Sequence, residues 1–185
     1  MDELERVRVL YQLKNVNRTT SVGTRKESSA EHSWSSLLLA DYFLSTYNLK
    51  LDRLKVYELL MYHDIVEIET GDVCISKEEE RKHKAKLEMQ GAEVLKEKIP
   101  KKLKLKYIQL FTEFEEKKTA EAKFAKAIDA LDAEIQEMDY KEDWKGWTEE
   151  FLRRKKEHLF KDFAPLREFF EETTAHARKQ GYFDQ

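Results

Sequence analysis

Residues that end helices are scarce in this chain, and their scarcity constrains the fold more than any other feature. The 185 residues include five Gly and two Pro, which leaves little material for the tight turns that join β-strands. Charged residues make up 38% of the sequence. Glu and Lys dominate them, and both are good helix formers, as are the abundant Leu and Ala. The sequence therefore predicts an all-α protein.

The spacing of apolar residues predicts where the helices lie. We expect helices at residues 2–15, from 28 or 29 onward, 51–70, 77–98, from Pro100 to about 118, 120–140, 147–160 and 163–180. Residues 15–29 are polar, contain Gly23 and are expected to form a loop. No repeat or shift in composition marks a boundary, so we expect one domain over residues 1–185 with about seven or eight helices.

Charge and cysteine content exclude several classes of protein. The chain has 34 basic and 37 acidic residues, a net charge of −3, which argues against binding of nucleic-acid polymers. Its one cysteine, Cys74, precludes an internal disulfide framework and is typical of a reducing compartment. No apolar run approaches the ~20 residues that cross a membrane, and the charged N-terminus does not resemble a secretory signal. We expect a cytoplasmic protein without a membrane partner.

Three segments place histidine and carboxylate residues among apolar neighbours. They are residues 31–32, 62–72 and 126–132. An unpaired carboxylate in such surroundings would cost several kcal/mol. A divalent cation would remove that cost, because imidazole and carboxylate both suit such ions. The sequence therefore predicts a metal site between these segments.

Spacing within the second segment limits how its residues can act. Adjacent helical residues project about 100° apart, so His63 and Asp64 can share only a metal that lies between their two directions. Glu67 falls on the same face one turn later, and Asp72 follows Gly71 beyond the expected helix end. Further ligands must come from other helices. His32 is one candidate; Asp129 is the other, with Asp132 as its alternative one turn later.

Four short motifs resemble those of a known family. The chain contains NR at 17–18, RxExxxEHS at 25–33, MYHDxxExxxGD at 61–72 and IDAL at 128–131. They resemble the HD-domain metal-dependent phosphohydrolases, whose signature is H…HD…D, and in particular the 5′-deoxynucleotidase branch. The resemblance covers roughly residues 8–140. It implies an all-α homodimer that hydrolyses deoxynucleoside 5′-monophosphates, with the helices over 144–181 packed on the motif core or at a dimer interface.

The resemblance also implies roles for individual residues. The implied ligands of one divalent ion (Co, Mn, Mg, Fe, Ni or Zn) are His32, His63, Asp64 and Asp129. Glu67 and Asp72 are implied in proton transfer, and Arg18 in binding the substrate phosphate.

Two departures from the family pattern affect the substrate site. Thr19 stands where the bacterial type member has Trp near the sugar, so the preference for deoxyribose is open. The loop is about one residue shorter, so Arg25 is expected to share or replace the phosphate contact of Arg18.

Two alternative functions remain open from sequence. One is a different HD phosphohydrolase that acts on nucleoside triphosphates, cyclic nucleotides or alarmones. The other is a catalytically inert helical interaction protein. Among the remaining features, Cys74 is expected to be packed rather than reactive, and Glu69 to be solvated. The aromatic residues between 144 and 170 are expected to fill a core, with any excess at a dimer interface.

Overall fold

Helices form most of the protein, as predicted, in a computed structural model that describes residues 1–73, 79 and 82–184. The elements are α1 (Glu3–Leu10), β1 (Asn17–Val22), β2 (Arg25–Ser28), α2 (Ser29–Thr46), α3 (Arg53–Tyr62), α4 (Glu67–Thr70), α5 (Lys84–Lys98), α6 (Lys104–Glu116), α7 (Ala120–Gln136), α8 (Glu149–Lys156) and α9 (Ala164–Gln180). Short 3₁₀ turns follow α1, α7 and α8 where longer α-helices were predicted. Cys74 and the start of the helix predicted at 77–98 lie outside the described residues.

The predicted start of α2 is confirmed by its cap. The hydroxyl of Ser28 accepts from the backbone N–H of Glu31 (3.3 Å), and the Glu31 carboxylate accepts from the backbone N–H of Ser28 (2.9 Å). This reciprocal capping box satisfies two N–H groups that a helix start leaves unpaired. It also fixes the first turn of α2, which carries His32.

The loop predicted over residues 15–29 is wrong, because these residues form an antiparallel hairpin. Strands β1 and β2 pair with Val22 opposite Arg25, and Gly23 adopts a φ of +57° in the turn. The strands lack alternating apolar residues, so no local pattern revealed them. Contacts with the rest of the protein hold them instead: Asp143 accepts from the backbone N–H of Ser21 (2.6 Å), and Gln136 donates to the Ser21 carbonyl (2.9 Å).

The helix predicted over residues 51–70 is interrupted at its most important point. α3 ends at Tyr62, and α4 begins at Glu67 after a tight turn. His63 explains the break: its Nδ1–H donates to the carbonyl of Leu60 at 2.7 Å. In a continuous α-helix that carbonyl would accept from the backbone of Asp64. The turn therefore begins at His63 and Asp64, directly after the last residue of α3.

Helix α7 is the centre of the core, packed against α2, α3, α6 and α9. Its Phe124, Ile128 and Leu131 are fully buried. The aromatic residues that follow α7 pack into the same core: Trp144, Phe160 and Phe170 are at most 1% exposed. Helix α2 has an exposed face as well as a buried one, and the exposed face carries three large apolar side chains, Trp34, Leu38 and Tyr42.

Among the described residues, no helix combines the length and apolar character that crossing a bilayer requires.

Candidate metal centre

Three helices bring histidine and aspartate side chains to one point. His32 lies in the first turn of α2, His63 directly follows α3, and Asp129 lies in the middle of α7. One ligand atom from each falls within 4.8 Å of the others. Both histidine side chains are fully buried, and the Asp129 side chain is 16% exposed. The three residues are far apart in the chain, and only the packing of α2 and α3 against α7 joins them.

His63 presents a bare nitrogen lone pair to this point. Because its Nδ1–H donates to Leu60, its Nε2 carries no proton in the neutral ring. That Nε2 is buried without a hydrogen-bond partner. It lies 3.2 Å from Oδ1 of Asp64 and 3.9 Å from Oδ1 of Asp129. A nitrogen lone pair and two carboxylates are all electron-pair donors, and none of them supplies a proton to the others. A cation bound between them would interact favourably with all three.

His32 is oriented toward the same point by a carboxylate behind it. Its Nδ1 lies 2.8 Å from Oδ2 of Asp132, and its Nε2 lies 3.0 Å from Oδ1 of Asp129. Ser35 also donates to Oδ2 of Asp132, at 2.8 Å. A carboxylate on the far nitrogen is the usual support of a metal-binding histidine. Asp132, the alternative to Asp129 from sequence, thus stands behind the histidine.

The pKa values of the histidines reflect these contacts. Burial would lower the pKa of His32, and Arg18 acts in the same direction, but hydrogen bonds with Asp129 and Asp132 raise it to about 10. Burial dominates at His63 and lowers its pKa, despite the nearby Asp64 and Asp129. A proton in this cluster is therefore favoured on His32 over His63.

The two aspartates remain ionised in spite of burial. Burial favours the protonated form of Asp64, but the nearby His63, His32 and Arg18 lower its pKa below the usual value. Lys126 and the histidines outweigh burial in the same way at Asp129, whose pKa is well below its usual range. Two carboxylates that stay charged in a buried cluster provide the negative ligands that a divalent cation requires.

The hairpin delivers Arg18 to the cluster. Its guanidinium lies 3.4 Å from Oδ2 of Asp64 and 3.2 Å from Oε2 of Glu27. Arg25, the other predicted phosphate contact, is not brought to this cavity: it is exposed, pairs with Glu31 at 2.8 Å and lines a different surface depression beside Trp34. Residues seven apart in the hairpin thus end on different sides.

Glu67 and Asp72 both reach the cavity beside the cluster. Glu67 is 3% exposed, and its Oε2 accepts from the Ser29 hydroxyl at 2.7 Å. Burial, together with the negative charges of Asp64 and Asp72, raises the pKa of Glu67 to about 8. Glu67 can therefore hold a proton near neutral pH. Glu69, predicted to be solvated, is half-buried and pairs with Lys98 at 2.6 Å.

The cavity has a volume of about 140 Å³. Its lining residues come from the hairpin and from several helices and turns around the cluster: Arg18, Thr19, Thr20, Asp64, Glu67, Asp72, Val73, Lys84, Lys126, Asp129, Ala130, Ala133, Glu137, Trp147, Lys156 and Leu159. Sequence reasoning did not assign Lys126, whose Nζ lies 2.8 Å from Oδ2 of Asp129. Its position three residues before Asp129 on one helix was a signal that could have identified it.

Comparisons with known proteins agree with this geometry. The sequence model of the HD domain matches residues 10–167. The chain is 29% identical to 5′-deoxynucleotidase HDDC2 of Xenopus laevis over 142 residues, which cover 75% of this chain and 69% of that protein. It is 26% identical to the human protein of that name over 142 residues, with 75% and 68% covered.

Solved structures share the fold. The structure superposes on a predicted metal-dependent phosphohydrolase from Magnetospirillum magnetotacticum with a TM-score of 0.81 and 27% identity, covering 95% of this chain and 93% of that one. An HD-domain phosphohydrolase from Listeria innocua has the same fold at a TM-score of 0.58 and 21% identity, with 94% and 84% covered. The histidine–aspartate cluster and these matches agree: the chain belongs to the HD-domain family of metal-dependent phosphohydrolases.

Proposed function

We propose that this enzyme hydrolyses nucleoside 5′-monophosphates, deoxy forms preferred, to the nucleoside and orthophosphate. The convergence of His32, His63 and Asp129 at the wall of a small cavity carries the proposal. Similarity to proteins named 5′-deoxynucleotidase supports the choice of a nucleotide.

Four residues would hold one divalent cation: His32, His63, Asp64 and Asp129. The unpartnered Nε2 of His63 and the two ionised carboxylates are suitable ligands, and the ion is one of Co, Mn, Mg, Fe, Ni or Zn. When bound, such an ion supplies Lewis-acid polarisation of the phosphoryl group and makes hydroxide available near neutral pH.

Arg18 would bind the substrate phosphate. Its planar guanidinium can donate two parallel hydrogen bonds to phosphate oxygens, which lysine cannot reproduce. Glu27 lies behind Arg18 and supplies a counter-charge, with its Oε2 3.2 Å from Nε of the guanidinium. Lys84 and Lys126 add positive charge to the same cavity. These side chains place positive charge where the phosphate would bind, in a chain whose net charge is −3.

Glu67 would supply the proton that the leaving 5′-oxygen requires. It lines the cavity, and the hydroxyl of Ser29 fixes one of its carboxylate oxygens. Its pKa of about 8 keeps it protonated near neutral pH, the state a general acid requires. Asp72 lines the same wall and is the second candidate for proton transfer.

A nucleotide and metal panel tests the proposal. Purified protein is incubated with deoxynucleoside and ribonucleoside monophosphates, triphosphates and cyclic nucleotides in Co²⁺, Mn²⁺ or Mg²⁺, and the phosphate species released is identified. We expect orthophosphate from the monophosphates. Pyrophosphate or tripolyphosphate from triphosphates would instead identify the other class of HD phosphohydrolase. No release with any metal would favour the inert interaction protein.

We also propose that the protein is a cytoplasmic homodimer and that α2 forms its interface. Trp34, Leu38 and Tyr42 follow one another at four-residue spacing and are 64%, 52% and 45% exposed. An apolar stripe of this kind is typical of a surface that another chain covers. Light scattering should give the mass of a dimer, and Trp34→Glu should give a monomer. A wild-type monomer at micromolar concentration would contradict the proposal.

A further inference from the structure

The strand that carries Arg18 is irregular where it meets the cavity. Strand β1 bulges between Asn17 and Ser21, where three of its residues lie opposite a single residue of β2, Glu27. The three residues of the bulge all line the cavity: Arg18, Thr19 and Thr20. Bulges commonly redirect side chains next to a functional site. The bulge, rather than the regular part of the hairpin, therefore presents Arg18 to the histidine–aspartate cluster.

Asp143 holds the end of this bulge at Ser21. Its Oδ2 accepts from the backbone N–H of Ser21 at 2.6 Å, and its Oδ1 accepts from the Ser21 hydroxyl at 2.8 Å. The Asp143 side chain is only 4% exposed, which limits competition from water. Hydrogen bonds to an ionised acceptor are also stronger than those between neutral groups. Asp143 thus fixes both the backbone and the side chain of the residue at the edge of the bulge.

Lys26 extends this contact into the bulge itself. Its ammonium lies 3.0 Å from Oδ1 of Asp143 and donates to the Ser21 hydroxyl, also at 3.0 Å. The same ammonium donates to the backbone carbonyl of Thr19. Thr19 directly follows Arg18 in the chain. The peptide next to Arg18 is therefore connected to Asp143 through one half-exposed lysine.

Asp143 is fixed in turn by the core. It lies in a 3₁₀ turn, Lys141–Trp144, that follows α7. The next residue, Trp144, is 1% exposed, and its Nε1–H donates to the carbonyl of Glu137 at 2.9 Å. A fully buried indole with its N–H paired inside the protein holds the turn against the core. The position of Asp143 is therefore set by packing and not by the hairpin alone.

We infer that Asp143 is a positioning residue for Arg18. The inference rests on the proposed function, in which Arg18 binds the substrate phosphate. Asp143 is not among the residues that line the cavity, so it acts through the strand and not on the substrate. It also follows the last of the four sequence motifs. Helix α7 and the turn after it thus support both a candidate metal ligand, Asp129, and the arginine opposite it.

Asp143→Ala tests the inference by steady-state kinetics. It should raise KM for deoxyadenosine monophosphate about tenfold and change kcat less than about twofold, because a displaced contact that binds substrate and transition state alike affects KM alone. Gln136 and Tyr140 still hold the backbone of the hairpin, so it should stay folded. Glu142→Ala is the control, because Glu142 is an exposed neighbour in the same turn. It should change neither constant.

Two binding measurements separate positioning from general damage to the fold. The affinity of the Mn²⁺-loaded protein for inorganic phosphate, measured by calorimetry, should fall about tenfold in Asp143→Ala. Its affinity for Mn²⁺ itself should not change, because the cluster residues do not depend on the bulge. Thermal unfolding of each variant checks that the fold is intact.

A second background tests whether Asp143 acts through Arg18. Residues that act through one another give non-additive effects. In an Arg18→Ala background, Asp143→Ala should therefore cause no further loss of phosphate affinity. Lys26→Met provides an independent variant, because this side chain is half-exposed and its removal leaves the core intact. It should weaken phosphate binding about threefold in the wild type and not at all in Arg18→Ala.

The outcomes distinguish this inference from the proposed function. If the wild-type protein hydrolyses no nucleotide, the proposed function fails, while a loss of phosphate affinity in Asp143→Ala still supports the positioning role. Unchanged KM and phosphate affinity in Asp143→Ala would overturn the inference. Equal losses with and without Arg18 would overturn it as well. If Asp143→Ala does not fold, the same comparisons with Lys26→Met decide the question.

Discussion

Helix α7 carries two buried clusters of charged side chains, and the buried charges are compensated differently in each cluster. Near the C-terminal end of α7, Glu134 is fully buried and forms an ion pair with Lys156, which is 6% exposed. The Lys156 ammonium also donates to the carbonyl of Ala130 at 3.3 Å. One positive and one negative group neutralise each other there. One turn earlier, Asp129 faces His32 and His63 in an arrangement that remains incomplete.

The difference between the clusters indicates which one stabilises the fold and which one is suited to bind an ion. The Glu134–Lys156 pair contains its own counter-charge, although Oε2 of Glu134 is buried without a hydrogen-bond partner. In the other cluster, a buried nitrogen of His63 has no hydrogen-bond partner, and two carboxylates face it. Acceptors that face one another need a cation between them, whereas Glu134 already faces the ammonium of Lys156. The cluster around His63 is therefore the one expected to bind an ion.

The largest effect is expected at Asp64. Asp64→Ala removes a carboxylate that lies 3.2 Å from the bare nitrogen of His63. We expect metal binding and phosphate release to fall below detection together, as measured by elemental analysis after dialysis and by phosphate assay. Asp41→Ala is the control, because Asp41 pairs with Arg53 on the surface. Full activity in a metal-free Asp64→Ala protein would rule out the assignment.

Breaking the complete cluster should affect stability. Lys156→Met leaves Glu134 buried without a counter-charge, which should cost about 3–5 kcal/mol of unfolding free energy. Urea unfolding measures the loss. The double variant Lys156→Met/Glu134→Leu should recover most of it, because an apolar pair of similar volume is often as stable as a buried ion pair. A loss below about 1 kcal/mol in the single variant would contradict the pairing.

The support behind His32 should matter less than the ligands themselves. Asp132→Ala leaves Nδ1 of His32 without its partner, which should weaken metal affinity about 10- to 100-fold. Calorimetric titration with Mn²⁺ measures this affinity. Ser35→Ala, which removes only the hydroxyl that donates to Asp132, should have a smaller effect. Complete loss of binding in Asp132→Ala would show that Asp132 is a ligand rather than a support.

An exposed network should give the smallest effect. Hydrogen bonds from Arg178 and Arg153 lower the pKa of Glu149 to about 2. Because the pKa is lower in the folded protein, the stabilisation is complete above the ordinary glutamate value of about 4.3 and is lost as pH falls toward 2. We expect Glu149→Gln to cost at most about 1 kcal/mol at pH 7. Unfolding at several pH values should show this difference shrinking between pH 5 and 2.

Much of the candidate site could be predicted because its residues occur in short motifs. His63, Asp64, Glu67 and Asp72 lie within ten residues. The three carboxylates line the cavity, and His63 belongs to the metal cluster beside it. His32 was found because a capping signal and an apolar helix surround it. Their joint role as ligands stays a proposal until metal binding is measured.

The residues that sequence reasoning missed act across long chain distances. Glu137 meets Thr20 from 117 residues away, and Lys156 reaches the cavity from α8. No local pattern relates them to the cluster. The hairpin escaped detection for the same reason: its strands are polar, and residues such as Asp143 hold them in place.

The sequence by itself determined the helical class and the start of α2, and its short motifs, through their resemblance to a known family, named the candidate ligands. These depend on intrinsic helix propensity, on hydrogen bonds between near neighbours and on short spacings along the chain. Only the tertiary structure decided that Arg18 reaches the cluster while Arg25 does not, and that Asp132 stands behind His32. Those outcomes depend on the directions in which packed helices and a paired hairpin aim their side chains, and directions of this kind are fixed by long-range contacts rather than by neighbours in the chain.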